Sequence, residues 1–343
     1  MSSNFSWSDL LEKLLNQNHL SSSEAESLIN AWLNEELTAV QTGAFLAALR
    51  AKPPNGEELS SMAKILIDVC EIPCERPNFD FVDTCGTGGD GANTFNISTA
   101  VAFVSASCGA RVAKHGNKSA SGNVGSADVL SAAGLSLDIP HEKVIKALES
   151  ERITFLFAPA WHKSLASLAP LRKSLGIRTV FNLLGPLVNP LRPNSQVLGV
   201  AKRNLLDPMA LALSKMSSGR SIVVFGAGGL DEASLEGDNE LRLIENGQIK
   251  SLTINASKLG LENSSNNSLR GGDVNENRLI FQKVLNGTAN NEQLNVVALN
   301  TALVLWASNI ESDLSLGIQY AKESMNKKKP LQTFNSLQKF FDN

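Results

Sequence analysis

A cluster of glycines in the run GTGGDG, Gly86 to Gly91, constrains the fold of this chain more than any other feature. Glycine at this density is unfavourable inside a strand or a helix, but it permits positive φ angles and lets a ligand approach the backbone closely. A short apolar segment, 79–82, precedes the cluster, and a segment of small residues, 100–107, follows it as a predicted helix. This order indicates a strand, a ligand-binding loop and a helix, as found in α/β proteins.

A second polar loop, Lys114–Ser126, follows another short predicted strand, 110–113. Both loops would leave adjacent strand–helix units at the same edge of an open sheet. Ligands bind at that edge, and the N-termini of helices there favour anions. The two loops therefore indicate a phosphorylated ligand.

Two common nucleotide-binding motifs are excluded by their context. The string Gly86-x-Gly88-x-x-Gly91 matches the dinucleotide fingerprint, but no Asp or Glu between Asp90 and Asp128 is available to hold the ribose hydroxyls. No Gly-Lys-Ser/Thr follows the glycines, so the loop is not a Walker loop either.

A third glycine-rich turn, 226–229, follows the apolar segment 221–225 and leads into Asp231 and Glu232. Adjacent carboxylates suit Mg²⁺, which is usually bound by few carboxylates together with water and phosphate oxygens. Taken alone, the pair would be interpreted as acids at the start of a helix. Beside two anion-binding loops we expect a magnesium site, with both acids solvent-exposed in the ligand loop.

The predicted elements give an α/β fold: a small N-terminal helical domain plus a larger α/β domain with a mostly parallel central sheet flanked by helices. The helical domain is expected to span residues 1–74, joined by helices within about 163–190, and the catalytic α/β domain to span 75–343. Asn246-Gly247 predicts a hairpin, and the polar segment 262–273 is predicted to be an exposed, mobile loop. The segment 314–325 is expected to be the last helix, and the following Lys327-Lys328-Lys329 a solvated helix end.

Composition limits the partners and the location of the protein. The net charge is −3 and the sequence pI is about 5.9, which argues against nucleic-acid binding through a basic surface. The first twenty residues lack a signal-peptide pattern and no apolar run is long enough to cross a bilayer, so a cytoplasmic location without a membrane partner is expected. The four cysteines are expected to be free thiols.

Four segments carry a resemblance to a known family: GTGGDGANTFNIST, KHGNKSASGNVGSADVL, LRKSLGIRTVFNLLGPLVNP and LDEAS. In this order and spacing they resemble the anthranilate phosphoribosyltransferase family, of the nucleoside-phosphorylase-like class of phosphoribosyltransferases. The resemblance implies transfer of a phosphoribosyl group from 5-phosphoribosyl 1-pyrophosphate to the amine of anthranilate, in tryptophan biosynthesis. It also implies a homodimer, which we expect to form through the N-terminal helices because Trp7, Leu11, Trp32 and Phe45 offer much apolar surface.

The resemblance further implies three sets of site residues. The residues for phosphoribosyl pyrophosphate are Gly86, Gly89, Asp90, Thr94, Asn96, Ile97, Ser98, Thr99, Lys114, His115, Gly116, Asn117, Lys118, Ser119, Ala120, Ser121, Gly122 and Ser126. Those for anthranilate are Gly86, Asn117 and Arg172, and those for Mg²⁺ are Ser98, Asp231 and Glu232. No general base is assigned, since a phosphate or backbone contact for His115 is at least as well supported as a catalytic role.

Three positions depart from the pattern of the family, and two alternative functions stay open. Lys118 stands where Arg is usual, Asn123 where Lys is usual, and Lys163 where Pro is usual. A nucleoside phosphorylase of the same fold would use the glycine loop for inorganic phosphate. A non-catalytic nucleic-acid-binding relative would be expected to be basic and to lack the two metal carboxylates, unlike this chain.

Overall fold

The computed structural model describes residues 6–118 and 124–343, which form fifteen α-helices and seven strands. The helices are α1 Trp7–Leu15, α2 Ser22–Leu33, α3 Ala39–Ala51, α4 Gly56–Asp68, α5 Ile97–Ser107, α6 Ser126–Ala132, α7 His141–Ser150, α8 Ala158–Trp161, α9 Leu168–Leu175, α10 Phe181–Leu184, α11 Leu206–Ser214, α12 Val274–Leu285, α13 Asn291–Ala307, α14 Leu314–Asn326 and α15 Lys329–Asp342. The strands are β1 Val82–Gly86, β2 Val112–Gly116, β3 Ile153–Phe157, β4 Ser195–Gly199, β5 Ser221–Phe225, β6 Asp238–Glu245 and β7 Gln248–Asn255.

The strands of the described residues form one sheet in the order β3-β2-β1-β4-β5-β6-β7. The first five strands in this order are parallel, and β6 and β7 are antiparallel. The parallel register pairs Gly86 with Gly199 and Gly116 with Phe157, so the carboxyl ends of β1, β2, β3 and β4 lie at one edge. The predicted small helical domain and larger, mostly parallel α/β domain are confirmed.

Two hydrophobic cores cover opposite faces of the sheet. One contains side chains of α5–α7 and α12–α15 and includes the buried rings of Phe103, Phe281 and Phe334. The other contains side chains of α1–α4, α9 and α10 and continues through α11 to the sheet. Trp32 of α2 packs against Phe181 of α10, with ring centroids 5.4 Å apart. The N-terminal helices are therefore held to the segment that follows β3 by apolar contacts.

Local sequence signals account for the ends of the N-terminal helices. Ser21 and Thr38 form capping boxes with Glu24 and Gln41, three positions further on, and Asn55 forms a third with Glu58. The aromatic side chains expected to face a second subunit are not all at the surface. Trp32 and Phe45 are buried inside the chain, so they offer no surface to a partner.

One prediction about the second half of the chain holds only in part, and another is wrong. The segment 262–273 is largely exposed, as predicted, but Leu269 within it is buried, accepts a hydrogen bond from the backbone of Phe95 (2.9 Å) and precedes a bridge between Thr94 and Arg270. The helix α14 is not the last, since α15 follows the lysine triplet and buries Phe334 against Phe103. The sequence did not indicate α15 because the apolar residues of this helix begin only after the lysine triplet.

No helix of the described residues has the length and apolar character needed to cross a membrane.

Candidate active site

The glycine loop is fastened to two neighbouring segments at the carboxyl edge of the sheet. Gly88, Gly89 and Gly91 have φ angles of 67°, 80° and 78°, the left-handed region predicted for this cluster. The backbone N–H of Thr87 donates to the carbonyl of Gly199 at 2.9 Å, which ties the loop to β4. The N–H of Gly88 donates to Oδ2 of Asp231 at 2.6 Å. The loop and the acid pair, 143 residues apart in sequence, therefore form one unit.

The first turn of α5 presents polar groups to the same edge. The side chain of Asn96 donates to the carbonyl of Val124 at 2.8 Å, but its buried Oδ1 and the buried hydroxyl of Thr99 have no partner among the described residues. Glu232 lies beside Ser98 of this turn, whose backbone N–H and hydroxyl favour the charged form of the Glu232 carboxyl. The carboxyl group of Glu232 thus lies at the N-terminus of α5, where free N–H groups and the helix dipole favour negative charge.

Buried cationic and imidazole groups come from β2. Nζ of Lys114 donates to the carbonyl of Thr84 at 2.6 Å and to the hydroxyl of Ser98 at 3.1 Å. Nδ1 of His115 donates to the carbonyl of Gly185 at 3.2 Å, and this fixes the neutral tautomer with a bare Nε2. That Nε2 is buried and has no partner among the described residues. Burial, the neighbouring His162 and Lys114 lower the pKa of His115 to about 3.

The loop after β2 is described only in part. Gly116 lies so close to Ser126 that a Cβ at this position would overlap the serine hydroxyl. Asn117 and Lys118 are exposed, and Nζ of Lys118 lies 5.9 Å from the ring centroid of Phe157. The predicted donor residues Ser119, Ala120, Ser121 and Gly122, and the departure at Asn123, lie outside the described residues. The departure at Lys163 is an exposed residue at the start of a 3₁₀ turn.

The acid pair is less exposed than the sequence led us to expect. Glu232 is only 7% exposed and Asp231 is half-buried, so the prediction of two solvated acids is wrong. Burial raises the pKa of Glu232 to about 7, although the nearby charge of Lys114 opposes this shift. Burial and the carboxylates of Asp90 and Glu232 raise the pKa of Asp231 well above its usual range. Asp90 lies close enough for its Oδ2 to accept from the N–H of Asp231 at 3.4 Å.

These oxygen donors fit Mg²⁺. Three carboxylates and the Ser98 hydroxyl are hard ligands, and a divalent cation would relieve the carboxylate repulsion that adds to burial in raising the pKa values of Asp231 and Glu232. Among the described residues, no group of three or more His, Cys, Asp or Glu side chains is arranged to hold a metal by itself. Mg²⁺ characteristically binds one or two carboxylates and completes its coordination with water and phosphate oxygens. The acid pair provides a partial site of that kind.

Arg172, predicted to bind anthranilate, lies on α9 rather than on the sheet edge. Its guanidinium carbon is 5.1 Å from the ring centroid of Phe181, and its pKa is lowered by burial. The guanidinium has no hydrogen-bond or ion-pair partner among residues 6–118 and 124–343. Its donors are therefore available to a planar anion.

Two residues at this edge were not among the predicted site residues. Nη2 of Arg178 donates to the carbonyl of Thr87 at 2.6 Å across 91 residues of sequence. Gly199 ends β4 so close to the acid loop that a Cβ would overlap the carbonyl of Asp231. Each is important only because distant segments meet there, and spacing along the chain could not reveal this.

The pH dependence of stability is expected to report the neutral state of His115. As the pH falls below 6.5 the unfolded chain gains a proton on this ring, whereas the folded ring stays neutral until about 3, so stability falls with pH in this window. His115→Asn keeps a donor near the Nδ1 position and removes the titration. Its melting temperature should therefore fall less than that of the unaltered protein between about pH 7 and about pH 5. A difference between the two proteins that does not change with pH would contradict a neutral buried ring.

Comparison with known proteins agrees with this architecture. Residues 8–70 match the helical bundle domain of the glycosyl transferase family, and residues 78–329 match its a/b domain. The fold and the two matched domains define a glycosyl transferase of this two-domain class. An anthranilate phosphoribosyltransferase of Prochlorococcus marinus is 60% identical over 332 residues, which cover 97% of each chain. This chain belongs to the anthranilate phosphoribosyltransferase family.

Solved structures of relatives have the same fold. A crystal structure of anthranilate phosphoribosyltransferase from Thermus thermophilus is 33% identical, has a TM-score of 0.89 and covers 97% of this chain and 99% of its own. The enzyme from Saccharomyces cerevisiae, in a structure in complex with PRPP and Mg, is 28% identical with a TM-score of 0.88 and 99% coverage of both chains.

Proposed function

We propose that this protein transfers the phosphoribosyl group of 5-phosphoribosyl 1-pyrophosphate to anthranilate, giving N-(5-phosphoribosyl)anthranilate and pyrophosphate, in L-tryptophan biosynthesis. The observation that carries the proposal is the meeting of the glycine loop, the α5 N-terminus and the acid pair Asp231–Glu232 at one edge of the sheet. This combination suits a diphosphate with its metal. Family membership supplies the acceptor.

The donor would bind along the carboxyl edge of β1 and β2. N–H groups of the glycine loop and of the first turn of α5 would hold its phosphates, with Lys114 contributing a buried positive charge. The residues assigned to the donor by the resemblance, from Gly86 to Ser126, are proposed on this basis. Ser98, Asp231 and Glu232 would hold Mg²⁺, which when bound would neutralise charge on the leaving pyrophosphate.

The residues of the site can assist transfer without a general base. Displacement of pyrophosphate at the anomeric carbon should pass through an oxocarbenium-like state, as in glycoside transfer. Fixed N–H donors stabilise the leaving group where its charge develops. His115 would be a poor base at neutral pH, since its pKa is lowered to about 3 by burial. The acceptor is a weakly basic aromatic amine, so its positioning, to which Asn117 and Arg172 would contribute, is the main requirement.

One assay tests the proposal and its nearest alternative. Loss of anthranilate fluorescence should require the protein, phosphoribosyl pyrophosphate and Mg²⁺ together. Consumption of a nucleoside with inorganic phosphate, and no loss of anthranilate, would instead identify a nucleoside phosphorylase. Retention of Asp231 and Glu232 and the net charge of −3 favour the enzyme over a nucleic-acid-binding relative.

Arg172→Ala is expected to weaken acceptor binding selectively. Loss of a charge-assisted bidentate contact to the anthranilate carboxylate should cost about 2–3 kcal/mol, mainly as a higher KM for anthranilate. The neighbouring Lys173→Ala, at an exposed position of the same helix, is the matched control and should behave normally. Equal weakening for both substrates would indicate a displaced helix instead of a lost contact.

The protein is also proposed to act in the cytoplasm as a homodimer formed through the N-terminal helices. Val40 of α3 is 83% exposed, and Leu15 of α1 and Ile177, just after α9, are also exposed. The helix α3 packs against both α1 and α9. Exposed apolar side chains on neighbouring elements favour self-association. Sedimentation at micromolar concentration should give the mass of a dimer, and Val40→Lys should shift it toward the monomer. A monomeric unaltered protein would refute the dimer.

A further inference from the structure

Arg178 reaches the glycine loop from the helical side of the molecule. It lies in the connection between α9 and α10, whose apolar side chains pack with the N-terminal helices. Its Nη2 donates to the carbonyl of Thr87 at 2.6 Å. Its guanidinium also covers Gly89 so closely that a Cβ there would lie 2.7 Å from Nε. The side chain thus holds the loop at two positions, one on each side of Gly88.

The same guanidinium interacts electrostatically with Asp231 and Asp90. Gly88, between the two residues that Arg178 contacts, donates its N–H to Oδ2 of Asp231 at 2.6 Å. The pKa of Arg178 is lowered by burial, and the charges of Asp231 and Asp90 act in the opposite direction. The loop is therefore held between a cation on one side and carboxylates on the other. Arg178 partly neutralises those carboxylates where Mg²⁺ is proposed to bind.

We propose that Arg178 is a positioning residue that couples donor binding to metal binding. It holds the glycine loop, and its charge lowers the affinity of the acid pair for a metal ion when the donor is absent. This inference rests on the proposed function. A positive charge near Asp231 opposes a second cation through Coulomb repulsion. A pyrophosphate group brings negative charge that both Arg178 and the metal attract. The metal and the donor should therefore bind more tightly together than separately, and binding equilibria make such coupling reciprocal.

Binding of Mn²⁺, as a spectroscopic substitute for Mg²⁺, tests this coupling without turnover. Its affinity would be measured by electron paramagnetic resonance, with and without phosphoribosyl pyrophosphate, in the full chain and in Arg178→Gln and Arg178→Lys. In Arg178→Gln we expect Mn²⁺ alone to bind about threefold tighter or more, since the repelling charge is gone. The donor should bind about tenfold more weakly or worse, because a charge-assisted contact to the loop is lost.

The lysine variant separates charge from geometry. It keeps the positive charge, so Mn²⁺ alone should bind nearly as in the unaltered protein. It lacks the planar fork that contacts Thr87 and covers Gly89, so donor binding should still weaken. Arg203→Gln removes an exposed arginine paired with Glu240 on the surface and is the matched control, expected to change neither affinity. Thermal melting of each variant would establish that it is folded.

The outcomes are distinguishable. Equal or weaker binding of Mn²⁺ alone by folded Arg178→Gln would overturn the charge role, and unchanged donor affinity in both variants would overturn the loop role. Failure of the unaltered protein to consume anthranilate would refute the proposed function. The Mn²⁺ comparison in the absence of donor would still decide whether Arg178 controls the acid pair.

Discussion

Replacing Asp231 by Asn and Glu232 by Gln is expected to lower turnover at limiting Mg²⁺ by about 100-fold or more. The amides keep the shape of the carboxylates but remove two hard anionic ligands, and a metal at a developing negative charge contributes several kcal/mol to transition-state stabilisation. The loss should fall on turnover and on donor affinity. Raising the Mg²⁺ concentration should recover part of it, and more for the single variants than for the double variant. Steady-state rates across a Mg²⁺ titration would measure this.

The stability of the Glu232→Gln variant is expected to be retained or increased, in contrast to its activity. The pKa of Glu232 is raised by burial to about 7 from 4.5, so the folded chain retains a proton that the unfolded chain has already released. The stability of the metal-free protein therefore falls as the pH rises between these two values. Glu232→Gln removes the titration, so the variant should be at least as stable near neutral pH and lose less stability as the pH rises. Urea unfolding at several pH values would measure the difference.

The exposed Asp138→Asn is the matched control, and it should leave both activity and the pH dependence of stability unchanged. Normal activity of the double variant across the whole Mg²⁺ titration would rule out a metal role for the pair. Loss of activity that accompanies unfolding would reduce the pair to a structural role. Both results differ from the expected outcome, in which the variant is folded but needs a higher Mg²⁺ concentration for activity.

The parts of the fold that sequence predicts correctly depend on neighbours along the chain. The capping boxes at Ser21 and Thr38 need only residues three positions apart. The β6–β7 hairpin follows from Asn246-Gly247, whose φ angles of 52° and 72° few other residue pairs adopt as easily. The glycine loop was recognisable because its left-handed angles need glycine. Strand–loop–helix order then placed three polar loops at one edge of the sheet.

The parts that sequence could not give depend on contacts between distant segments. The acids Asp231 and Glu232 look solvated in sequence, yet the glycine loop and α5 cover them. Arg178 lies in one of the segments that resemble the family, but its neighbours along the chain do not indicate its bond to Thr87, which spans 91 positions. Leu269 lies in a Ser/Asn-rich segment that is mostly exposed, yet it is itself buried and its carbonyl accepts from the backbone N–H of Phe95. In each case burial is set by tertiary packing, to which composition gives no guide.

Gly199→Ala is expected to disrupt the candidate site as strongly as removal of its acids. Gly199 has an ordinary backbone conformation, so alanine causes no φ strain, but its Cβ would overlap the backbone carbonyl of Asp231. Backbone atoms cannot rotate away, so β4 and the acid loop must separate. The same glycine accepts the N–H of Thr87, and the separation would therefore also shift the glycine loop. A displacement of about 1 Å can cost about 100-fold in rate, and overpacking typically costs about 1–3 kcal/mol of stability.

A matched substitution distinguishes this steric effect from the general effect of adding a methyl group. Gly185→Ala places a Cβ with no atom within 4 Å at a helical position, and the Gly185 carbonyl that accepts from His115 is kept. This variant should retain normal activity and stability. Gly199→Ala should instead bind Mn²⁺ and donor weakly even at temperatures where it is folded, because the displaced Asp231 no longer faces the loop. Near-normal activity of folded Gly199→Ala would mean that the acid loop can move without loss of function, and the close packing of β4 against it would then have no part in positioning the metal.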